Sequence, residues 1–337
     1  MSQAIIVTGG AGFIGANFVQ YFAAKYPEYH IINLDKMTYA GDPKAVEACN
    51  AYPNHTLVQG DICDAALVGS IFEKYDVRGV IHFAAESHVD NSITGPRAFV
   101  EKNLLGTFTL LDAARRHWQT APQKYKPGYE GCRFHHISTD EVYGTLGAEG
   151  FFHETTPYAP NSPYSASKAG SDFLVRAYHH TYGMNVTTSN CSNNYGPWQN
   201  KEKFIPTIIR KALAEQPIPV YGNGSNVRDW LFVLDHCKAI DLIYHTGKAG
   251  ETYNVGGHNE RNNLQILDAV CSILDAERPR ACGKSYKELM QFVADRPGHD
   301  LRYAIDPTKL CTQLGWKADE TFDTGIVKTV KWYLQQH

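Results

Sequence analysis

Two short segments carry side chains that together can perform redox and acid–base chemistry. Tyr164 and Lys168 are four residues apart, which on a helix places both side chains on one face, one turn from each other. An ammonium group beside a phenol stabilises the phenolate, so the tyrosine can take a proton from an alcohol. Asp140 and Glu141 are adjacent carboxyl groups that can serve as an acid and a base if their pKa values differ. These four residues could both oxidise an alcohol and eliminate water.

The surroundings of Tyr164 decide whether this spacing is meaningful. The same spacing occurs in two further pairs, Tyr21 with Lys25 and Tyr244 with Lys248. Only the Tyr164 pair directly follows a capping serine and a proline, Ser162 and Pro163, which predict a helix start. Apolar residues then recur at helical spacing through residue 175. The sequence therefore places Tyr164 and Lys168 in the first turns of a helix.

The acidic pair follows a predicted strand. Residues 133–139 form a short apolar run that ends in Ser138 and Thr139, and Asp140 and Glu141 come next. In open α/β sheets, ligands bind outside the carboxyl ends of the strands. Thr139, Asp140 and Glu141 are therefore expected to line a ligand cleft.

A glycine loop near the amino terminus predicts a dinucleotide site. Residues 4–7 form a buried-strand pattern, and the glycines that follow fit both G-x-G-x-x-G and G-x-x-G-x-x-G before a helix pattern begins. A second strand, 30–34, ends in Asp35, about 20 residues past the last glycine, where an acid binds the ribose hydroxyls. A carboxylate there repels a 2′-phosphate, so NAD is favoured over NADP. Lys36 weakens that preference slightly, although it also fits a solvated loop.

The order of elements predicts an α/β fold. Further buried strands are expected at 57–62, 79–85 and 184–189, so strands and helices alternate through residue 190. We predict a doubly wound parallel sheet of the Rossmann type in residues 1–190, which also carries the catalytic residues. A smaller, mixed α/β substrate-binding region occupies 191–337, with part of 226–250 returning to the Rossmann core. Gly, Pro and Asn clusters at 190–197 and 221–225 predict loops that shape the substrate site.

Composition narrows the function class. The chain has 337 residues and a formal net charge of -3, without a basic run, which argues against nucleic-acid or anionic-membrane binding. No signal peptide or membrane-spanning stretch is evident, and a cytoplasmic location is expected. The eight cysteines are scattered without a C-x-x-C pair, so reduced thiols are expected and no metal site is predicted.

Seven segments in chain order resemble the dTDP-glucose 4,6-dehydratase family of extended short-chain dehydrogenase/reductases. They are TGGAGFIG (8–15), AAESHVD (84–90), STDEVYG (138–144), YSASK (164–168), NCSNNYGP (190–197), NVRDW (226–230) and DRPGHD (295–300). Asp140 makes the resemblance specific, because related decarboxylases and GDP-mannose dehydratases typically carry Ser at this position, and 4-epimerases lack the Asp-Glu pair.

The resemblance implies a role for each catalytic residue. Tyr164 takes the proton of the glucose 4-hydroxyl while hydride leaves C4 for NAD. Lys168 lowers the pKa of the tyrosine, and Thr139 hydrogen-bonds the C4 oxygen. Glu141 then removes the C5 proton and Asp140 protonates the departing 6-hydroxyl. Hydride returns to C6, so that NAD is regenerated and the product is a 4-keto-6-deoxy sugar.

The remaining expected contacts divide between cofactor and substrate. The predicted NAD-binding residues are Gly9, Gly12, Phe13, Ile14, Gly15, Asp35, Lys36, Asp61, Ile62, Ala84, Ala85, Tyr164, Lys168 and Asn190. Among them, Asp61 is expected to meet the adenine. The predicted substrate-binding residues are Ser87, Thr139, Asn193, Lys203, Tyr221, Arg228, Asn263, Arg296 and His299. Of these, the cations are assigned to the diphosphate, and Tyr221 is expected to stack on the base.

Several alternatives stay open at this level. A UDP-glucose 4,6-dehydratase, a 4-epimerase or a UDP-glucuronate decarboxylase would share the cofactor and the Tyr/Lys pair, and a redox-sensing module could use the fold without chemistry. The product could serve L-rhamnose, surface polysaccharide or specialised deoxysugar synthesis. By analogy with the superfamily, helices at 98–114 and 169–178 with broad apolar faces predict a homodimer.

Overall fold

The computed structural model describes residues 3–295 and 300–336. Within these residues the strands are β1 (Ala4–Thr8), β2 (His30–Asp35), β3 (His55–Gln59), β4 (Val77–His82), β5 (Gln119–Ala121), β6 (Lys124–Tyr125), β7 (Arg133–Thr139), β8 (Val186–Cys191), β9 (Asn193–Tyr195), β10 (Ile218–Tyr221), β11 (Val227–Phe232), β12 (Thr252–Val255), β13 (Glu260–Asn262) and β14 (Met290–Val293).

The helices separate these strands. They are α1 (Phe13–Lys25), α2 (Pro43–Asn50), α3 (Ala65–Lys74), α4 (Val89–Thr94), α5 (Pro96–Phe99), α6 (Gly106–Trp118), α7 (Pro163–Tyr182), α8 (Phe204–Leu213), α9 (Val233–Thr246), α10 (Asn263–Glu277), α11 (Thr308–Leu314) and α12 (Phe322–Gln335). A π-helical segment, Val100–Leu105, joins α5 to α6. Short 3-10 turns occupy Asp140–Tyr143 and Tyr286–Leu289. None of the described helices is long and apolar enough to cross a membrane.

Seven parallel strands form the central sheet, in the order β12-β8-β7-β4-β1-β2-β3. The register places Ile6 of β1 opposite Ile32 of β2 and Val80 of β4, and all three side chains are fully buried. Parallel strands covered by helices on both faces read as continuous apolar runs, which explains the pattern of the sequence. The predicted α/β fold of the Rossmann type is confirmed.

The sheet order determines where a ligand can bind. The chain moves outward from β1 through β2 to β3, and then returns to the other side of β1 with β4. A crevice opens at the carboxyl ends of the strands where the order reverses. The glycine loop after β1, Asp35 at the end of β2 and Thr139 at the end of β7 all lie at this edge.

Three predicted strand ranges differ from the structure. Residues 57–62 and 79–85 were predicted to be strands, but the pairing of β3 and β4 ends at Gln59 and His82. The chain leaves the sheet there because the residues that follow turn to line the cleft. The strand predicted at 184–189 begins before the observed strand β8. Met184 is buried and apolar, but it belongs to the connection before β8. The strand at 133–139 is confirmed at both ends.

Helix α7 begins where the sequence predicts. The side chain of Ser162 accepts a hydrogen bond from the Ser165 amide, the Ser165 hydroxyl accepts one from the Ser162 amide, and Pro163 occupies the first turn. This capping box satisfies two backbone donors that a helix start leaves open. The helix runs for 20 residues and ends at Gly183, whose φ of 65° is left-handed. Tyr164 and Lys168 are thereby held in its first two turns.

The carboxy-terminal half of the chain contributes to two layers. Helix α9 packs on α1, with Val233, Cys237 and Ile240 in one cluster with Phe18, and β12 extends the central sheet beside β8. The other elements build a smaller layer around a separate apolar cluster, which includes Ile208 of α8. Strand β11 joins this layer to β9 and β13. The cleft lies between this layer and the carboxyl edge of the sheet.

Candidate active site

One cavity of about 330 Å³ follows the carboxyl edge of the sheet. It brings together 19 of the residues predicted from the sequence: Gly9, Gly12, Phe13, Ile14, Gly15, Asp35, Lys36, Asp61, Ile62, Ala84, Ala85, Ser87, Thr139, Asp140, Glu141, Tyr164, Lys168, Asn193 and Lys203. Residues far apart in the chain therefore share one cleft.

The glycine loop leaves no room for side chains where it passes the neighbouring backbone. A Cβ at Gly9 would lie 2.7 Å from the Ala84 amide nitrogen, and Gly9 has a φ of 72°. A Cβ at Gly15 would overlap the Gly9 carbonyl oxygen and come within 2.9 Å of the Gly10 Cα. The loop therefore presents bare backbone at the start of α1, which suits the approach of a pyrophosphate.

Asp35 is positioned by the same loop. Its Oδ2 accepts a hydrogen bond from the Ala11 amide at 2.9 Å, and its Oδ1 accepts one from the Met37 amide at 2.7 Å. The carboxylate is buried at the end of β2 and lines the cavity. Donor groups of the chain thus hold an acceptor where a ribose would lie, and this arrangement fits the predicted NAD.

Asp61 lies between two lysines at the cavity wall. Its Oδ2 accepts hydrogen bonds from Lys36 at 2.9 Å and Lys102 at 2.5 Å. Burial alone would raise the pKa of Asp61, but Lys102, the Cys63 amide and Lys36 hold it well below its usual range. Lys36 is therefore ion-paired, whereas the sequence also allowed it a solvated position. Lys102 was not predicted, because nothing local relates it to Asp61.

The end of β7 presents the catalytic acids. The Thr139 hydroxyl caps the 3-10 turn by accepting a bond from the Glu141 amide, and it donates to Asp140 Oδ1 at 3.3 Å. Asp140 is only 2 % exposed, and its Oδ2 has no hydrogen-bond partner among the described residues. Burial, with the charges of Glu141 and Asp229, raises the pKa of Asp140 well above its ordinary value. This shift favours the protonated form of Asp140, which is the form that an acid catalyst requires.

Tyr164 and Lys168 face the same cavity, but their electrostatics differ from the prediction. Burial first, then Glu141 and Cys191, raise the pKa of Tyr164 well above its usual value, and the Thr139 hydroxyl opposes this only in part. The Lys168 ammonium donates to the Ile137 carbonyl oxygen at 2.7 Å rather than to the phenol. The expected lowering of the tyrosine pKa by this lysine is thus not produced by the protein alone.

Four predicted binding residues do not line this cavity. Asn190 is fully buried in β8, where its Nδ2 donates to the Tyr143 hydroxyl at 2.9 Å. Tyr221 ends β10 with its side chain exposed, and Asn263 begins α10. Arg228 is buried in β11, where its guanidinium donates hydrogen bonds to the carbonyl oxygens of Val227 and Asp300.

Arg228 nevertheless lies near the catalytic acids. Its positive charge lowers the pKa of Asp140, in opposition to burial. Its guanidinium also stacks over the Tyr303 ring, 4.3 Å from the ring centroid. It does not form the surface pair with Asp229 that was the simpler alternative, because Asp229 accepts from the Gly257 and Asn259 amides. Predicted Arg296 and His299 lie outside the described residues.

The structure also adds residues to the cavity wall. Those that were not predicted as binding residues include Thr38, Glu86, Lys102, Ser138, Cys191, Ser192, Asn194, Gln199 and Asn200. The Asn-rich cluster at 190–197 was predicted to form part of the substrate site, and it supplies three of them, Cys191, Ser192 and Asn194. Gln199 and Asn200 carry no local signal, because their place depends on contacts with distant elements. For example, the Tyr333 hydroxyl donates to the Gln199 carbonyl oxygen at 2.7 Å.

A glycine loop, a ribose-directed acid and a Tyr/Lys helix on a Rossmann sheet define a dinucleotide-dependent enzyme of the short-chain dehydrogenase/reductase class. A family model described as GDP-mannose 4,6 dehydratase matches residues 6–329. The chain belongs to this family.

Individual relatives carry the more specific name dTDP-glucose 4,6-dehydratase. A dTDP-glucose 4,6-dehydratase from Xanthomonas campestris is 54% identical over 329 residues, which cover 98% of this chain and 92% of that protein. A Streptomyces venezuelae dTDP-glucose 4,6-dehydratase, solved with NAD and TYD bound, is 42% identical with a TM-score of 0.88, covering 98% of this chain and 97% of that one. The Bacillus anthracis dTDP-glucose 4,6-dehydratase in complex with NAD is 42% identical with a TM-score of 0.86, covering 99% and 97%.

The glycine loop generates a prediction about cofactor binding. We expect Gly15→Ala to weaken NAD binding at least ~10-fold, because the new methyl group displaces the backbone that meets the pyrophosphate. The amount of NAD that remains after gel filtration, measured on protein denatured to release it, reports the change.

The matched control is Gly69→Ala. Gly69 lies in α3, and a Cβ there meets nothing within 4 Å. This variant should keep its NAD and gain slightly in stability, since alanine is the better helix former. Equal NAD contents in the two variants would contradict the proposed role of the loop.

Proposed function

We propose that the chain converts dTDP-glucose to dTDP-4-keto-6-deoxyglucose and water with bound NAD, as an NAD-dependent hydro-lyase. The observation that carries the proposal is the meeting of Asp140, Glu141 and Tyr164 in one cleft, where Asp140 is buried and its pKa is raised. An oxidoreductase that only removes hydride needs no such acid. The names of the relatives support the same reaction.

The glycine loop, Asp35 and the Ala84–Ala85 backbone hold the cofactor in this proposal. NAD supplies the acceptor for the C4 hydride, the donor for the later return to C6, and positive charge in the cleft while it is oxidised. That charge is significant because the protein alone raises the pKa of Tyr164. The cofactor and Lys168 must together make the phenol a competent base.

The first half of the reaction depends on Tyr164. Its phenolate oxygen takes the proton of the 4-hydroxyl as the C4–H bond breaks with its electron pair, which leaves a 4-ketone. The Thr139 hydroxyl donates to Asp140 Oδ1 at 3.3 Å, and a hydrogen bond from it also lowers the pKa of Tyr164 in part. It is therefore placed to hydrogen-bond the C4 oxygen and to orient the sugar.

The second half depends on the two acids. The 4-ketone acidifies the C5 proton, which Glu141 removes as the general base. Asp140 donates its proton to the 6-hydroxyl, the C6–O bond breaks and water leaves. Return of hydride to C6, which the reduced cofactor would supply, and of the proton on Glu141 to C5 would complete the product, and the proton held by Tyr164 would restore the acid form of Asp140. Adjacent carboxyl groups can divide these roles because burial raises the pKa of Asp140 and so favours its protonated form.

The substrate contacts belong to the same proposal. Lys203 and Ser87 meet across the cleft mouth, where the Lys203 ammonium lies 3.4 Å from the Ser87 carbonyl oxygen, and Asn193 lines the wall. We assign the diphosphate to Lys203, Arg228 and Arg296, and the nucleoside end to Tyr221, Asn263 and His299. A cytoplasmic location is also proposed, and the eight unpaired cysteines support it.

A panel of four nucleotide sugars tests this function. The purified protein is incubated without added reductant with dTDP-glucose, UDP-glucose, GDP-mannose and UDP-glucuronate, and product masses are followed. We expect dTDP-glucose to lose one water with no net NADH. Loss of water from UDP-glucose instead would reassign the nucleotide. An isomer of unchanged mass, or loss of carbon dioxide from UDP-glucuronate, would replace the proposal with an epimerase or a decarboxylase.

Substitutions of the acidic pair separate the two half-reactions. We expect Asp140→Asn to slow water loss by roughly 10²- to 10⁴-fold, because the amide has no proton to give. Exchange of the C5 proton with solvent deuterium should survive in this variant and be lost in Glu141→Gln. Deuterium incorporation and product mass are followed together. Equal loss of water elimination and of deuterium incorporation in both variants would show that Asp140 and Glu141 do not have separate roles as acid and base.

The pH dependence follows from the raised pKa of Asp140. Only the protonated acid can supply a proton, so its contribution falls as pH rises through a pKa that lies above the ordinary aspartate value. In the wild-type protein, the rate of dTDP-glucose dehydration, measured as a function of pH, should therefore decline as pH rises through this raised pKa.

A homodimer is the second part of the proposal. Exposed apolar side chains gather on adjacent helical segments: Val100, Leu105 and Phe108 beside Phe173, which is 57% exposed. Leu104 and Leu174 join the first three to line a shallow apolar depression. Such a patch is typical of an interface, and a second copy of the chain would cover it through the same two segments about a twofold axis.

We expect Phe173→Glu to shift the protein from dimer to monomer, because the new charge would be buried against the partner's apolar patch. Light scattering after gel filtration measures the mass. The control is Phe292→Glu, which changes an equally exposed phenylalanine, 53% exposed, on β14. A monomeric wild type, or a dimer that survives Phe173→Glu, would remove the dimer from the proposal.

A further inference from the structure

Asp172 is a buried acid that the proposed mechanism does not use. It lies on α7 four residues after Lys168, so both side chains point to the same side of the helix. Both are almost fully buried, at 5 % exposed for Asp172 and 4 % for Lys168. Two ionisable side chains one turn apart in a protein interior require an explanation, because an isolated buried charge is strongly disfavoured.

Asp172 and Lys168 hold adjacent residues of β7. The Lys168 ammonium donates to the Ile137 carbonyl oxygen at 2.7 Å, and the Ser138 hydroxyl donates to Asp172 Oδ2 at 2.8 Å. Thr139 and Asp140 follow directly. The helix that carries Tyr164 is thus joined by a positive and a negative group to the strand end that carries the acids.

One oxygen of Asp172 is saturated and the other is not. Oδ2 accepts from Ser138 and from the Tyr158 hydroxyl at 2.9 Å. Oδ1 lies 3.1 Å from Nε2 of His136, but the geometry does not form a hydrogen bond, and no other described group donates to it. The carboxylate therefore keeps negative charge that its hydrogen bonds do not fully offset.

The other titratable groups around this carboxylate are held neutral. They are His82 of β4, His136 of β7, Tyr143 of the 3-10 turn, Tyr158 of the loop before α7, and Cys191 of β8. Burial lowers the pKa of both histidines well below the usual value and raises the pKa of both tyrosines, and it raises that of the thiol to about 12. Further acids act on this group of residues, namely Asp140 and Glu141 from the cleft, and Glu154.

The electrostatics of the two residues are reciprocal. Burial lowers the pKa of Lys168, and the negative charge of Asp172 is the largest effect that opposes it. Burial raises the pKa of Asp172 to about 6, and Lys168 is the first group that opposes this rise. Each residue therefore favours the charged form of the other.

We propose that Asp172 is a positioning residue of the active site, the buried counter-charge that keeps Lys168 protonated while the lysine faces the cleft beside Tyr164. The inference rests on the proposed function only for the use that is made of the lysine charge. A neutral Lys168 would deprive the cleft of a positive charge that the buried Tyr164 needs as a base. The charge interaction between the two residues does not depend on which reaction the cleft performs.

The titration of Lys168 tests the proposal directly. Protein labelled with ¹³C at the lysine Cε is titrated by NMR, and the Lys168 signal is assigned by its loss in Lys168→Met. In Asp172→Asn we expect the pKa of Lys168 to fall by about one unit or more, a tenfold larger neutral fraction, since an opposite charge nearby shifts a pKa by about 1–3 units. The amide is isosteric and still accepts the bonds from Ser138 and Tyr158.

Asp235→Asn is the matched control. Asp235 is a buried aspartate on α9 whose side chain accepts a hydrogen bond from the Glu320 amide, and it does not line the cavity. This variant should leave the Lys168 titration unchanged. If Asp172→Asn is not recovered folded, Asp172→Ser replaces it, and the same fall in the pKa of Lys168 is expected. An unchanged Lys168 titration in the folded Asp172 variant would overturn the proposal and leave Asp172 a packing role.

Turnover of dTDP-glucose by the wild type is followed on the same preparations. Wild-type protein that makes no product while Lys168 responds to Asp172→Asn would support the counter-charge and count against the proposed function alone. Normal turnover with an unresponsive Lys168 would count against the counter-charge alone.

Discussion

Burial of ionisable groups at the carboxyl end of β7 is the constraint on which the rest of the site depends. The pKa of Asp140 is raised there, chiefly because burial disfavours the charged carboxylate, and a single hydrogen bond from Thr139 to Oδ1 opposes this only in part. The same burial raises the pKa of Tyr164 and lowers that of Lys168. Burial therefore favours the protonated form of Asp140, but it disfavours the phenolate of Tyr164 and the ammonium of Lys168. Positive charge must therefore be supplied to the cleft.

The fold provides this environment through its sheet order. Parallel strands covered on both faces place β7 in the centre of the molecule, between β4 and β8. The residues at its carboxyl end line the cleft together with the glycine loop and with residues between β8 and α8. The low dielectric strengthens each remaining charge interaction, including those of Asp140 with Arg228 and Asp229.

Much of the fold could be predicted because its signals are local. The apolar run at 133–139, the capping serine before Pro163 and the glycines after β1 each act within a few residues. The strand ends at Gln59 and His82 could not be predicted, since Asp61 and Ala84 leave the sheet for contacts with distant residues. An apolar pattern in the sequence indicates burial rather than strand pairing, and burial continues past the last paired residue of each strand.

The sequence by itself determined which groups perform chemistry, because residue type and short spacing identify a Tyr/Lys helix, an adjacent acid pair and a dinucleotide loop. Only the tertiary structure decided their protonation and their partners. Asp61 acquires Lys102 from 41 residues away. Asp172 joins Ser138 across 34 residues, and the pKa of Tyr164 rises where a neighbouring lysine predicted that it would fall. Desolvation and Coulomb interactions depend on distances in space, and those distances exist only after the chain has folded.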